Sequence, residues 1–134
     1  MLTYRLILLT VLVAALSSAC ASPTPAPDPT PPPSLNTSLW VDYPAIPVNQ
    51  QQAVNIAVND PSGRPVSGAT AVGIVEAQGR RQTINFPVTD AEGRARLLLT
   101  LPAVTTLQTI TITVRVVDTN GRWDEAVTAF DVYP

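Results

Sequence analysis

Val54, Ile56 and Val58 alternate with Asn55, Ala57 and Asn59, and the same period of two returns twice further along the chain. Ala95, Leu97, Leu99 and Leu101 alternate with Arg94, Arg96, Leu98 and Thr100, and Ile110, Ile112, Val114 and Val116 with Thr109, Thr111, Thr113 and Arg115. Successive side chains of a strand point to opposite faces, so this period, rich in β-branched residues, marks strands with one face buried. No stretch after residue 35 keeps a helical period of useful length. Between the runs stand NDPSGRP at 59–65, QGR at 78–80, TDAEGR at 89–94 and DTNGR at 118–122. Glycine supplies the positive φ of tight turns, and Asp or Asn hydrogen-bonds the backbone just beyond itself. The pattern predicts strands over about 38–43, 52–59, 69–77, 81–89, 94–101, 109–117 and 124–132. Seven short strands separated by turns predict an all-β, antiparallel β-sandwich.

The first quarter of the chain follows another pattern. Leu6 through Leu16 carry no charge and follow Arg5, and Ser17, Ser18 and Ala19 come next. Eleven apolar residues are too few for a transmembrane helix of about 20. They suit the apolar core of an export signal with a small-residue cleavage region, here residues 1–19. Residues 22–34, SPTPAPDPTPPPS, hold seven of the fourteen prolines. Proline fixes its own φ and holds the preceding residue extended, so this segment reads as a disordered but semi-rigid spacer reaching about 40 Å. The expected organisation is therefore a signal peptide over 1–19, an attachment residue and linker over 20–37, and a folded domain over 38–134.

Composition narrows the chemistry. All eight basic residues are arginines, set against ten acids for a net charge of −2, and no basic cluster exceeds Arg80-Arg81. Nucleic-acid binding draws on many cationic contacts to phosphate, so no nucleic-acid partner is expected. The same sparseness argues against electrostatic docking on an anionic membrane. Histidine and lysine are absent, removing the commonest general base and the usual phosphate-loop cation. Asp90 and Glu92 share one turn, and Asp118, Asp124 and Glu125 flank another. These acids read as turn formers and surface charges, since DTNGRWDE breaks the spacing of a calcium loop. A domain of this size with short loops offers little room for a substrate cleft. The chain is accordingly expected not to be an enzyme, and neither a metal nor a cofactor is expected.

Cys20, the single cysteine, has no partner for an internal disulfide. The stretch LSSAC resembles the lipobox of bacterial lipoproteins, with Ala19 before Cys20 as the cleavage position and Ser17 where leucine is most frequent. That resemblance implies a cysteine that carries a diacylglycerol and an acylated amino terminus. Two or three chains would hold the protein on a membrane, where one chain anchors only marginally. Further on, VNDPSGRPVSGATAVGIVEAQG and FPVTDAEGRARLLLTLP, roughly residues 52–102, are similar to bacterial Ig-like domains of the invasin and intimin type. They also resemble macroglobulin-type and carboxypeptidase-regulatory-like modules. Such modules act as spacers, adhesive stalks and interaction domains and share no catalytic residues.

These readings converge on a lipid-anchored protein of the cell membrane or outer envelope, its domain facing the extracytoplasmic side. The domain is expected to be a non-catalytic interaction or structural module with an envelope or extracellular protein partner. The alternative is a carbohydrate-binding module for envelope or extracellular glycans. In either case Trp123 and the adjacent Arg122, expected in the turn before the last strand, are the candidate ligand contacts. Trp40 is expected in the core or as edge cover, and Tyr43 and Tyr133 as rim residues.

Overall fold

The computed structural model describes residues 24–27, 34–101 and 103–134. The expected signal peptide, its cleavage residue Ala19 and Cys20 lie outside the described residues. Residues 24–27 are exposed and irregular. No helix occurs among the described residues of the folded unit, and none among the described residues is long and apolar enough to cross a membrane.

Eight strands follow one another: β1 (Asn36–Val41), β2 (Ala45–Pro47), β3 (Gln52–Asn59), β4 (Thr70–Ala77), β5 (Arg80–Asn85), β6 (Arg94–Leu99), β7 (Gln108–Val117) and β8 (Trp123–Tyr133). They form a three-stranded sheet in the order β1-β3-β6 and a five-stranded sheet in the order β2-β8-β7-β4-β5. One continuous core lies between them, drawing Val54, Ile56 and Val58 from one sheet and Ile112, Val114 and Val116 from the other. The alternation read from β3, β6 and β7 is thus the alternation of core and solvent. Leu98, out of step with its neighbours, is exposed.

Two features of the expected sandwich are corrected. There are eight strands rather than seven, and they are not all antiparallel, because β2 runs parallel to the end of β8. The eighth strand arises where the chain changes sheets. After β1 pairs with β3, residues 42–44 cross over, and β2 then joins β8 through Ala45↔Asp131 and Pro47↔Tyr133. The buried side chain of Gln52 clasps this crossover. Its Nε2 donates to the Tyr43 carbonyl at 2.6 Å and its Oε1 accepts the Tyr43 amide at 3.3 Å. A side-chain amide here takes the place of a neighbouring strand and satisfies backbone groups that leave one sheet before reaching the other. Pro47 is tolerated because β2 is an edge strand of its sheet.

Three connections use one turn. Asp60-Pro61-Ser62-Gly63-Arg64, Asp90-Ala91-Glu92-Gly93-Arg94 and Asp118-Thr119-Asn120-Gly121-Arg122 share the pattern Asp-x-x-Gly-Arg. In each the glycine amide donates to the Asp carbonyl, at 2.9, 3.0 and 3.1 Å, and the Asp amide donates to the Arg carbonyl, at 2.8, 2.9 and 2.9 Å. In each the Asp Oδ1 also accepts the backbone amides two and four residues on. All three turns lie at one end of the sandwich. The Val58 amide beside the first donates to the Gly93 carbonyl of the second, and the Thr37 amide donates to Asp124 just past the third. The chain enters at this end too, where the amides of Ser34 and Leu35 donate to the Trp123 carbonyl.

Candidate functional site

The turn end carries Arg122 and, beside it, Trp123, the contacts predicted from sequence. The Arg122 Nε donates to the Asp118 Oδ2 at 2.7 Å, so its guanidinium braces the turn from within. Burial pushes the Asp118 carboxyl up, but the Arg122 side chain, the Arg122 and Asn120 amides and the Arg122 charge outweigh it and hold the carboxyl below its ordinary value. At the equivalent turn, hydrogen bonds from the Ser62 hydroxyl and the Arg64 amide hold Asp60 down at about 2 against burial, helped by the Ser62 amide and the Arg64 side chain. Trp123 is not in the turn but opens β8, half-buried on the outer face of its sheet. The Arg115 guanidinium lies 4.8 Å from its ring centroid and also pairs with Glu125 at 3.3 Å. The indole face is therefore already engaged with a cation.

The opposite end holds a cavity of about 320 Å³. Its walls are the β4–β5 hairpin together with Leu101, Ala103, Val104 and Gln108, with Val75, Val104 and Ile110 as apolar lining and Arg80 and Arg81 among the polar lining. The hairpin is a two-residue turn with Gln78 at φ 50° and Gly79 at φ 71°, which sets Arg80 directly opposite Ala77. Arg81 pairs with Glu76, whereas Arg80 forms no ion pair among the described residues. Gln108 lines the same cavity, and both polar atoms of its amide are buried without a hydrogen-bond partner among the described residues. Native interiors rarely leave such groups unmatched.

A third region lies on the outer face of the three-stranded sheet. Trp40 is 42% exposed there, on the edge strand β1, so of the two places expected for it the core is ruled out. Tyr43 and Tyr133 are likewise exposed. In register, Trp40 stands beside Asn55, and Asn55 beside Arg96, in one row across β1, β3 and β6. The parity of β1 could have placed the indole: Leu39 and Val41 pack against the core, so Trp40 between them faces out. Among the described residues no group of three or more acids or cysteines is placed to hold a metal ion.

No family model matches this chain, and comparison with curated proteins finds no match. Among solved structures it is similar to a superoxide reductase (neelaredoxin) from Ignicoccus hospitalis, with a TM-score of 0.51 at 14% identity, covering 72% of this chain and 79% of that one. It is also similar to Spo0M, a sporulation control protein from Bacillus subtilis, at TM-score 0.46 and 6% identity, over 75% of this chain and half of that one. A conjugate transposon protein from Bacteroides vulgatus aligns at TM-score 0.41 and 14% identity, over 77% of this chain and 88% of that one. The first of these likenesses concerns the fold, and it corrects one expectation. An enzyme, superoxide reductase, is built on a similar sandwich, so a small all-β domain with short connections is no ground for denying this chain catalysis. The hairpin end also carries an open cavity of about 320 Å³, where short connections were expected to leave little room.

Proposed function

We infer that this chain is a lipid-anchored cell-envelope protein whose Ig-like sandwich serves as an interaction or structural module on the extracytoplasmic side. The order of features along the chain carries the reading. An apolar export segment ends at Ala19, Cys20 follows as attachment residue, a proline-rich spacer comes next, and among the described residues hydrogen bonding of the sandwich begins at Ser34. The strand order supports the Ig-like assignment. β1-β3-β6 fits the A-B-E sheet of that architecture, and β8-β7-β4 fits G-F-C with β5 added beyond it. Tethering is the mechanism: acyl chains on Cys20 hold the protein, the spacer projects it, and its exposed surfaces meet an envelope or extracellular partner. Ser34 and Leu35 lie at the turn end, and the hairpin end with its cavity is the opposite end of the sandwich.

Replacing Cys20 tests the anchor. Cys20→Ser is expected to release the chain into the soluble fraction or leave the precursor uncleaved. Fractionation and migration like the wild type would overturn the lipobox reading.

A further inference from the structure

We propose that the outer face of the three-stranded sheet, centred on Trp40, is a binding platform for a carboxylate-bearing saccharide. A shallow groove of about 230 Å³ lies on this face, lined by Trp40, Asn55, Asp90, Arg94 and Arg96 among others. The residues supply the three things such a ligand needs. Trp40 offers an exposed aromatic surface on which the apolar face of a sugar ring can lie. Asn55 and Arg96 offer planar polar groups already held in place: the Asn55 Nδ2 donates to the Asp42 Oδ1 at 2.7 Å, and the Arg96 Nη2 to the Asp42 Oδ2 at 2.8 Å. That bonding leaves the Asn55 carbonyl and other Arg96 N–H groups for ring hydroxyls.

An unpaired guanidinium selects the class of sugar. Asp42 is matched by Arg96, whereas Asp90, whose Oδ1 accepts the Glu92 and Arg94 amides of its own turn, keeps its charge, so the choice rests on the fork geometry of Arg94 and not on a net positive field. The Arg94 guanidinium forms no hydrogen bond or ion pair among the described residues, so its donors remain for a ligand. A guanidinium fork binds a carboxylate through two parallel hydrogen bonds, which a neutral sugar cannot offer. Trp40 replaces Trp123 as the stacking residue of the carbohydrate reading, since the Trp123 ring is covered by Arg115. This platform does not depend on the lipid anchor.

The test uses the full chain in detergent with Trp123→Phe, so that Trp40 alone reports by fluorescence. Three acidic probes are titrated: a galacturonate trimer, a hyaluronate tetramer and an N-acetylmuramic acid-containing disaccharide. A galactose trimer is the neutral control. At least one acidic probe should change the emission saturably, at least about tenfold more tightly than the neutral trimer. Calorimetry on Trp40→Ala should show that binding lost, and Arg94→Gln should weaken it by about tenfold while the thermal midpoint stays near that of the parent. Arg94→Gln keeps the backbone amide that closes its turn, so it separates recognition from folding. Silence with all three acidic probes, equal affinity for the neutral trimer, or unchanged binding in Trp40→Ala would each overturn the proposal.

Discussion

Gly93 and Val58 meet backbone to backbone: the Val58 amide donates to the Gly93 carbonyl at 2.8 Å, and a Cβ on Gly93 would stand 2.5 Å from the Val58 carbonyl oxygen. Gly93 also sits at φ 73°, where L side chains are strained, so two costs coincide. Gly93→Ala should therefore destabilise the protein by more than about 2 kcal/mol in urea denaturation. Gly121, the equivalent residue of the third turn, has φ 77°, and a Cβ there would have no neighbour within 4 Å. Gly121→Ala should cost only the conformational part, about 1 kcal/mol. Equal losses at the two positions would show that the close approach contributes nothing.

Thr89 is 2% exposed and joins two connections, its Oγ1 accepting the Ala69 amide at 2.9 Å and donating to the Val66 carbonyl at 2.7 Å. Valine preserves the shape but strands both backbone groups. Thr89→Val is expected to lower stability by about 1–3 kcal/mol, and Thr89→Ser, which keeps the hydroxyl, by less. Comparing their chemical-denaturation midpoints checks the order.

Acid should weaken the turn end. Asp60, at about 2, and Asp118 both have carboxyls held below the ordinary value of 3.8, so folding favours their charged forms. The contribution is whole above the unfolded value and is lost as pH falls from about 4 toward 2. Asparagine at either position keeps the Oδ1 that accepts the turn amides and gives up the charge. Asp60→Asn with Asp118→Asn should thus flatten the loss of stability between about pH 4 and pH 2, measured by urea melts across that range. A double variant with the wild-type slope would place the acid sensitivity elsewhere.

The β4–β5 hairpin asks for a left-handed residue at position 78 and has glutamine there, at φ 50°. Asparagine tolerates that conformation better, and Asn-Gly is the favoured pair for such a turn. Gln78→Asn should raise stability by about 0.5 kcal/mol, seen as a higher thermal midpoint.

Much of the sandwich was readable because burial on one face imposes a period of two on β3, β6 and β7, and short-range chemistry marks their turns. β2 was not readable. Its three residues, Ala45–Pro47, lie between Pro44 and Val48, too short for a period, and their pairing depends on the distant end of β8 and on Gln52. Trp123 and Arg122 drew attention as large side chains beside a turn, but composition cannot reveal that Arg115 and Asp118 already occupy them. The Trp40 platform depends on register across three strands, which no local window contains. The hairpin-end cavity is equally non-local, joining Val75 and Arg80 to Val104 and Gln108.

The chain's entry at Ser34 also decides how the domain bears load. A pull between Ser34 and the hairpin end runs along β1, whose six residues from Asn36 to Val41 pair with β3 in continuous register. Such a force shears those hydrogen bonds together instead of opening them one after another, so they share the load. The amides of Ser34, Leu35 and Thr37, bonded to the Trp123 carbonyl and the Asp124 carboxylate, stand ahead of that ladder as its first restraint. A strand placed in this way gives the sandwich its resistance to a pull applied at Ser34.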